Sequence, residues 1–532
     1  MLALLAALLA LSPAELRKKA APGLSAIRPA AIAAHVRFLA DDLLEGRRSG
    51  ERGHAVAERY VVSQLEALGL RPAGERQGWL QEVRLREMRA DPARSSLSVA
   101  GGPALRPFEE YLPGADSART EVEIEAPLVF VGYGVRAPEL GYDDTVGADV
   151  GGKVVVWLQG APGSPFSPLA KAVYSDSAVK WRPLAENGAV GILALLTPER
   201  LEIQPFDRAA RSARRGTVVS AEAPPMPPVV GVPPKLADAL FSHAGTSLSE
   251  QLDRAHEGKL RPLDLGVRAR IRLASAAREI ISHNVLGLLP ATEPGAEEIV
   301  AISAHLDHLG VGDPVDGDAI YNGAVDNATG IGEMLEIARA LAAQPHRKRS
   351  VLFLAVTGEE LGLHGSAWFT RHPTVALQNV VANLNLDQLS PMWTPHDVVL
   401  RGAEQSTLED HVRIAAAAVG LSVSPDPVPE QTFFVRSDQY NFARHGVPAA
   451  CLWQGFRDGR GGSANESIFR SWRATRYHQP SDALDQPFDW AAAAAWARFE
   501  FLVALSVVES DVRPAWKPDD FFTRFLASHR LP

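Results

Sequence analysis

Histidine and carboxylate residues follow directly on three apolar segments in the C-terminal half of the sequence. His305 and Asp307 follow segment 299–304, Glu359 and Glu360 follow segment 350–356, and Asp387 follows segment 380–386. If these segments are parallel strands of one sheet, their carboxyl ends meet at one edge, where α/β proteins bind ligands. The sequence therefore predicts that these side chains line a single pocket.

One imidazole with several carboxylates is a donor set that suits a zinc ion. Asp326, just before a predicted helix near residue 328, adds a further carboxylate. We expect the Asp307 carboxylate to hydrogen-bond to the His305 imidazole and orient it, without binding the metal itself. Taken singly, each residue also has a structural interpretation, such as a helix N-cap for Asp326 or a satisfied core histidine for His305. Their coincidence at one edge favours the metal site.

Strand-like and helix-like segments alternate from residue 284 onward. The predicted strands are 284–289, 299–304, 350–356, 380–386 and 397–400, and the predicted helices are 328–343, 361–370, 407–419 and 490–507. This alternation is typical of a mostly parallel sheet covered by helices on both faces. The predicted fold class is therefore α/β.

The preceding part of the chain has a different pattern. Residues 27–70 have the spacing of two helices around a polar, glycine-containing loop at 44–50. Residues 121–273 contain short apolar segments separated by Pro and Gly, notably at 224–234. This pattern predicts a β-rich module with a few helices.

Composition excludes several classes of protein. The chain has 532 residues, a net charge of −9 and 22% charged residues, which is ordinary globular composition with the wrong sign for nucleic-acid binding. The length is enough for about two to four domains. A single cysteine, Cys451, excludes an internal disulfide and a site built from several cysteines.

The first residues resemble a leader. Residues 2–11 form an apolar run with the length of a signal-peptide core, although the basic residues at 17–19 follow it instead of preceding it. We interpret 1–22 as a leader or N-terminal extension, which predicts a secreted or periplasmic protein. Elsewhere no apolar run reaches about 18 residues, so we expect no membrane span.

Several motifs in order resemble the co-catalytic di-zinc exopeptidases, which include bacterial leucyl aminopeptidases and glutamate carboxypeptidase. They are 39–47 (LADDLLEGR), 303–307 (SAHLD), 322–330 (NGAVDNATG), 358–360 (GEE), 385–387 (NLD) and 477–482 (YHQPSD). The resemblance implies a phosphorylase/hydrolase-like core at 23–120 and 274–532. It also suggests that 121–273 is an inserted protease-associated domain.

The resemblance implies a role for each matched residue. His305 and Asp387 would bind one Zn²⁺, Glu360 and His478 a second, and Asp326 would bridge them. Glu359 would be the general base acting on a water, and Tyr477 would help to polarise the substrate carbonyl. Co²⁺ or Mn²⁺ are possible substitutes for zinc. Related enzymes have a cis peptide bond at the position of Asp326–Asn327.

The expected function is removal of N-terminal residues from peptides or proteins. A carboxypeptidase of the same family would keep the metal ligands and change the groups that anchor the substrate. A glutaminyl-cyclase-like transferase would use one zinc, and a non-catalytic binding protein would tolerate lost ligands. The residue preference and the oligomeric state stay open.

Overall fold

The apolar segments of the C-terminal half pair into a sheet in the computed structural model, which describes residues 11–388 and 391–529. Strand Ile299–His305 is hydrogen-bonded in parallel to Ser350–Val356 on one side and to Val380–Asn385 on the other. Ala449–Ala450 continues the parallel pairing, whereas residues 285–289 run antiparallel to Ser350–Val356. The prediction of a mostly parallel, mixed sheet is confirmed.

Every residue of strands Ile299–His305 and Ser350–Val356 is buried. Burial of both alternating side-chain sets requires that both faces of the sheet are covered. This explains why the two strands have continuous apolar sequences without polar alternation.

The sheet belongs to the first of two units, which comprises residues 1–83, 281–428 and 436–532. Its α-helices are Pro13–Lys19, Ala21–Ala26, Pro29–Leu39, Arg52–Ala67, Gly330–Ala342, His364–Arg371, Leu408–Val419, Gln439–Arg444, Asn465–Thr475, Trp490–Val508 and Phe521–Ser528. Its other strands are Arg71–Pro72, Gly310–Val315, Asp318–Tyr321, Asp397–Val399, Ser422–Ser424 and Trp453–Gln454. The predicted helices and strands after residue 284 are all present, with ends shifted by a few residues.

Helix Trp490–Val508 lies in the core of this unit and packs against Gly330–Ala342, Pro29–Leu39 and Leu408–Val419. Its alanine-rich first turns favour a helix, and the Asp489 side chain caps its start by accepting from the Ala492 N–H. Among the described residues it is the one helix long and apolar enough to cross a membrane, and 83% of its apolar window is buried in the protein.

The N-terminal segment contributes to the same core. Residues 1–10 of the predicted leader lie outside the described residues, but Pro13–Lys19 is a helix that begins with a capping box between Ser12 and Glu15. Leu16 and Ala20 are fully buried in the core cluster. The part of 1–22 after Ser12 therefore belongs to the folded unit.

The second unit comprises residues 84–280 and 429–435. Its sheet places strands Val229–Val232, Gly191–Leu195, Val154–Leu158 and Glu121–Phe130 side by side in parallel, and residues 263–274 pair antiparallel with Glu121–Phe130. The long strand Leu263–Leu289 supplies those residues and continues into the first unit. Strand Leu80–Ala90 also crosses the boundary in sequence.

Short helices are also present in this unit. They are Pro168–Ser175, Ser177–Glu186, Pro198–Ile203, Phe206–Arg214, Pro234–His243 and Leu248–His256. The remaining strands are Ser96–Val99, Arg136–Ala137, Tyr142–Asp143 and Thr217–Ser220. The predicted strands of the module are present, and six short helices accompany them, several of which connect parallel strands. That this unit is a protease-associated domain stays a prediction.

Candidate metal centre

The parallel register brings the predicted site residues to one edge of the sheet. His305, the last residue of its strand, is paired with Val356, and Ser303 is paired with Asn385. Residues 357–360 and Asp387 therefore leave the sheet next to His305. The sequence-based prediction that the three strand ends meet is confirmed.

His305 lies between two carboxylates. Its Nε2 atom is 3.2 Å from Asp326 Oδ1 and 3.7 Å from Asp387 Oδ1. The ligand-type atoms of these three residues all lie within 4.8 Å of one another, close enough to share one metal ion. His305 is 1% exposed, so the set is closed to solvent on the imidazole side.

Glu360 and His478 form a second set on the other side of Asp326. His478 Nε2 is 3.1 Å from Glu360 Oε2 and 3.3 Å from Asp326 Oδ2. The two oxygens of the Asp326 carboxylate thus face different histidines, one in each set. All five residues predicted to ligate metal are brought together, and Asp326 lies where a bridging carboxylate has to lie.

A tight turn presents the Asp326 carboxylate. Gly323 has a φ of +60°, and the irregular turn Ala324–Thr329 leads into helix Gly330–Ala342, with the Asp326–Asn327 peptide bond in the cis form. The buried Asp482 carboxylate accepts from the N–H groups of Val325 and Asp326 at 3.0–3.2 Å. Asp482 belongs to the motif of His478, so one loop supplies a predicted ligand and also supports the turn that carries Asp326.

Asp307 acts differently from the expectation. The His305 imidazole Nδ1 contacts the backbone oxygen of Asp307 at 3.1 Å, not its carboxylate. The carboxylate, fully buried, accepts from the N–H groups of Glu359 and Glu360 at 3.1 and 3.4 Å. The backbone therefore orients the histidine, because the side chain points to the next strand end and positions the two glutamates there.

A chain of polar groups orients Asp387. The Ser437 hydroxyl donates to Asp387 Oδ2 at 2.6 Å, and Asn385 donates to Ser437 at 2.7 Å. With Oδ2 engaged, Oδ1 is the oxygen that faces His305. This contact joins residues 50 positions apart, so no local sequence pattern indicates it.

Tyr477 stacks on the His478 ring with a centroid separation of 3.8 Å. Its hydroxyl accepts a hydrogen bond from Arg436 at 3.2 Å, and the Arg473 guanidinium lies 4.7 Å from its ring centroid. The ring therefore supports a ligand histidine. Polarisation of a substrate carbonyl by its hydroxyl stays a prediction.

His308 is a residue that sequence reasoning left without a role. It is fully buried, and its Nδ1 lies 2.6 Å from Glu360 Oε1. Ligand-type atoms of His308, Asp326 and Glu360 lie within 4.8 Å of one another. The available signal was its position three residues after His305, on the same loop that leaves the strand.

The charged groups of the site shift one another's pKa values. Burial alone would lower the pKa of His305, but Glu359 and Asp326 raise it well above the ordinary value. Burial would raise the pKa of Asp326, but His305 and His478 hold it well below the ordinary range. These opposite shifts favour a protonated His305 beside an ionised Asp326.

Glu359 has the opposite character from its neighbour Glu360. Burial, together with the Glu360 and Asp387 charges, raises the pKa of Glu359 well above the ordinary value. Burial would raise the pKa of Glu360, but the interactions with His478 and His308 together lower it. Adjacent carboxylates with pKa values pushed apart are typical of a division between proton transfer and ligation.

The residues present fit a bound metal ion. Two His/carboxylate sets offer nitrogen and oxygen donors of the kind that zinc prefers. Glu360 Oε1 and both ring nitrogens of His308 are buried and have no partner in hydrogen-bond geometry among the described residues. His308 Nδ1 and Glu360 Oε1 lie 2.6 Å apart, and unpaired donors that face each other are expected where an ion completes the site.

Comparisons with known proteins agree with this geometry. Two relatives are aminopeptidase YwaD of Bacillus subtilis (strain 168), 33% identical over 210 residues, and "Probable lipoprotein aminopeptidase LpqL" of Mycobacterium tuberculosis, 26% identical over 234 residues. The matches cover 38% and 40% of this chain, and they span only 40% and 43% of the two relatives.

One solved structure is similar in fold over nearly the whole chain. The aminopeptidase from Aneurinibacillus sp. strain AM-1 aligns over 94% of this chain and 99% of its own, with a TM-score of 0.54 and 17% identity. At that identity the alignment shows a shared fold. Residues 284–503, which contain every predicted metal ligand, match the family model named Peptidase family M28. Over residues 284–503 the chain is therefore similar to peptidase family M28.

Proposed function

We propose that this protein is a zinc-dependent exopeptidase that removes N-terminal residues from peptides, an aminopeptidase. The observation that carries the proposal is the Asp326 carboxylate, whose two oxygens face His305 on one side and His478 on the other. A carboxylate between two imidazole sites is the arrangement that two adjacent cations need. Aminopeptidase is also the activity named for the relatives and for the structural neighbour.

The proposed cofactors are two Zn²⁺ ions, with Co²⁺ or Mn²⁺ as substitutes. His305 and Asp387 would hold one ion, Glu360 and His478 the other, and Asp326 both. Two such cations, when bound, polarise a peptide carbonyl and make a water molecule easier to deprotonate. A dry pocket strengthens these electrostatic effects, and the burial of His305 and Glu360 provides it.

Glu359 would transfer the proton. It is a member of neither ligand set among the described residues, and its backbone is fixed by the Asp307 carboxylate. Its raised pKa makes the Glu359 carboxylate a stronger proton acceptor than an exposed glutamate. It would take a proton from the attacking water and return it to the leaving amine.

The charges around the pocket favour an amino-terminal substrate. The carboxylates of Glu359 and Asp387 would attract the free ammonium group of a peptide. One observation favours a carboxypeptidase instead, because Arg436 and Arg473 contact Tyr477 beside the ligand His478 and would attract a C-terminal carboxylate. The experiment below separates the two.

We also propose an extracytoplasmic location and an inserted protease-associated domain at 121–273. The apolar run at 2–11 and the lipoprotein name of one relative support the first. The second is supported by the compact unit at 84–280, which interrupts the sequence of the first unit. The insert would restrict or recruit substrates.

The test uses one peptide with a free N-terminus and its N-acetylated twin, each with zinc-loaded protein and with or without phenanthroline. Mass spectrometry of the products should show chelator-sensitive trimming of the free peptide alone. Trimming of both peptides from the C-terminal end would establish the carboxypeptidase. If neither peptide is cleaved by protein that holds two metals, the exopeptidase proposal is wrong.

The Glu359→Gln variant tests the proton-transfer role. Turnover should fall by about 10²–10⁴-fold, because a positioned general base contributes that much. Bound metal should stay near the wild-type content, since Glu359 is outside both ligand sets. The matched control is Glu66→Gln, a change of the same kind at an exposed position of helix Arg52–Ala67, which should leave both quantities unchanged.

A further inference from the structure

His308 is a third imidazole in the metal centre, on the Glu360 side. It is fully buried, and its Nδ1 atom is 2.6 Å from Glu360 Oε1. Its ring centroid is 5.9 Å from that of His478, with the rings edge to face. Glu360 therefore lies between two histidines, with Oε2 facing His478 and Oε1 facing His308.

The contacts of His308 differ from those of a satisfied core histidine. Neither ring nitrogen has a partner in hydrogen-bond geometry among the described residues, and neither does the facing Glu360 Oε1. By comparison, the equally buried His54 is hydrogen-bonded to Glu58 through Nδ1 at 3.0 Å, and only its Nε2 has no partner among the described residues. Buried polar atoms are nearly always paired. The facing pair of His308 Nδ1 and Glu360 Oε1 is accounted for by an ion that both atoms bind.

The backbone holds the His308 ring in place. A Cβ atom at Gly323 would lie 2.6 Å from Cδ2 of the ring, so the glycine turn packs directly against it. The His308 N–H donates to the Arg47 carbonyl at 3.3 Å. Because both the ring and its backbone are confined, His308 stays beside Glu360 without a change of rotamer.

We propose that His308 is a ligand of the metal ion on the Glu360 side. That ion then has four protein donors, from His308, Asp326, Glu360 and His478, whereas the ion at His305 has three. The inference rests on the proposed metal site and adds a ligand that the family resemblance does not supply.

Unequal donor numbers have a consequence for metal binding. Four protein ligands are typical of closed, tightly held zinc, and three leave a position open for water or substrate. The ion on the Glu360 side should therefore bind more tightly and exchange more slowly. The ion beside His305 should be the one that is lost first to a chelator.

The test is a metal titration of the full chain. Zn²⁺ and Co²⁺ would be added to metal-free protein in the presence of a competing chelator, for wild type, His308→Phe and the control His372→Phe. Wild type should show one tight and one weaker site. His308→Phe should weaken the tight site at least tenfold, since even residues behind the ligands change affinity by 10–100-fold. The exposed His372 should have no effect.

The Co²⁺ absorption spectrum distinguishes a ligand from a supporting residue. Loss of an imidazole donor changes the visible bands of the Co²⁺-saturated protein, whereas a residue that only positions Glu360 leaves them unchanged. Far-ultraviolet circular dichroism of the metal-free variants reports folding, and His308→Asn serves if the phenylalanine does not fit. A spectrum and two affinities identical to wild type would overturn the inference. Wild-type protein that binds no zinc would overturn the proposed function as well.

Discussion

The Arg47→Met substitution would remove a buried cation that ties together the loops of the metal centre. Arg47 is 1% exposed and donates to the backbone oxygens of Leu306 at 3.0 Å, Asn322 at 2.6 Å and Gly323 at 3.0 Å. It donates to the Leu39 oxygen as well. These carbonyls flank the ligand His305 and the turn that carries Asp326. The backbone of Arg47 has a positive φ of 50°, a strain that methionine would share.

The change in the free energy of unfolding has two parts, the hydrogen bonds that are lost and the charge that no longer has to be buried. The Gly323 carbonyl keeps a donor in the Ala328 N–H, so three buried carbonyls are left without donors, at about 2 kcal/mol each or roughly 6 kcal/mol. Burial lowers the pKa of Arg47 to about 10 from the ordinary 12.5, although Asp307 and Asp482 oppose the shift. That shift corresponds to about 3 kcal/mol, which the neutral methionine recovers. The net loss is about 3 kcal/mol, at the lower end of the range for removing one partner of a buried ion pair.

The assay is urea unfolding of the metal-free protein, followed by circular dichroism and analysed for the transition of the first unit. Arg52→Met is the matched control, because its side chain is 77% exposed and its ion pair with Glu45 is at the surface. The control should lie within about 0.5 kcal/mol of wild type. If Arg47→Met lies within about 1 kcal/mol of wild type, the guanidinium is not the group that holds these loops.

Three further results are expected. The pKa values of His305 and His478 are raised in the metal-free protein, so their contribution to stability is fully present below about pH 6.5. This contribution should be lost as the pH rises through the raised pKa values. Bound zinc should abolish the loss, which thermal unfolding at pH 6–9 with and without zinc would measure. Gly323→Ala should lower the free energy of unfolding in urea by about 2–4 kcal/mol, because the new Cβ meets the Asp326 backbone oxygen and the His308 ring. The control Gly317→Ala has a φ of +90° but open space around the new Cβ, so it should lower the free energy of unfolding by about 1 kcal/mol. Burial and Glu333 raise the pKa of Glu500 well above its ordinary value, so Glu500→Gln should stabilise the protein at pH 8 and reduce the loss of stability between pH 5 and 8.

Each of these has a contrary outcome. Equal pH dependence with and without zinc would mean that the two histidines do not carry the effect. Equal costs for the two glycine substitutions would mean that the turn at residue 323 can move away from the ring. A Glu500→Gln protein that is less stable at pH 8 would mean that this carboxylate is ionised and paired in the fold.

Local patterns were enough for the strands of the first unit and the residues at their ends. Strands buried on both faces have continuous apolar sequences, and the polar residue that ends each run is visible without any structure. The helices of residues 84–280 were not placed individually, because short helices of six to ten residues between parallel strands have no long periodic pattern. Helices and strands are predicted most reliably from long segments of sequence.

Contacts over long sequence separations were not predictable in this way. Asp482 supports the Asp326 turn from 156 residues away, and Ser437 orients Asp387 from 50 residues away. The carboxylate of Asp307 was expected to contact the imidazole two residues earlier in the chain. It points instead to the glutamates that follow the neighbouring strand, because the pairing of strands brings that loop within reach.

The sequence by itself determined which residues could do chemistry and that they would end neighbouring strands, since donor type and apolar periodicity are local properties. Only the tertiary structure decided how they are used: which oxygen of Asp326 faces which histidine, which groups orient Asp387, and that His308 faces Glu360. These relations depend on register, loop packing and burial. Such quantities arise from many contacts formed together and are carried by no single segment of the chain.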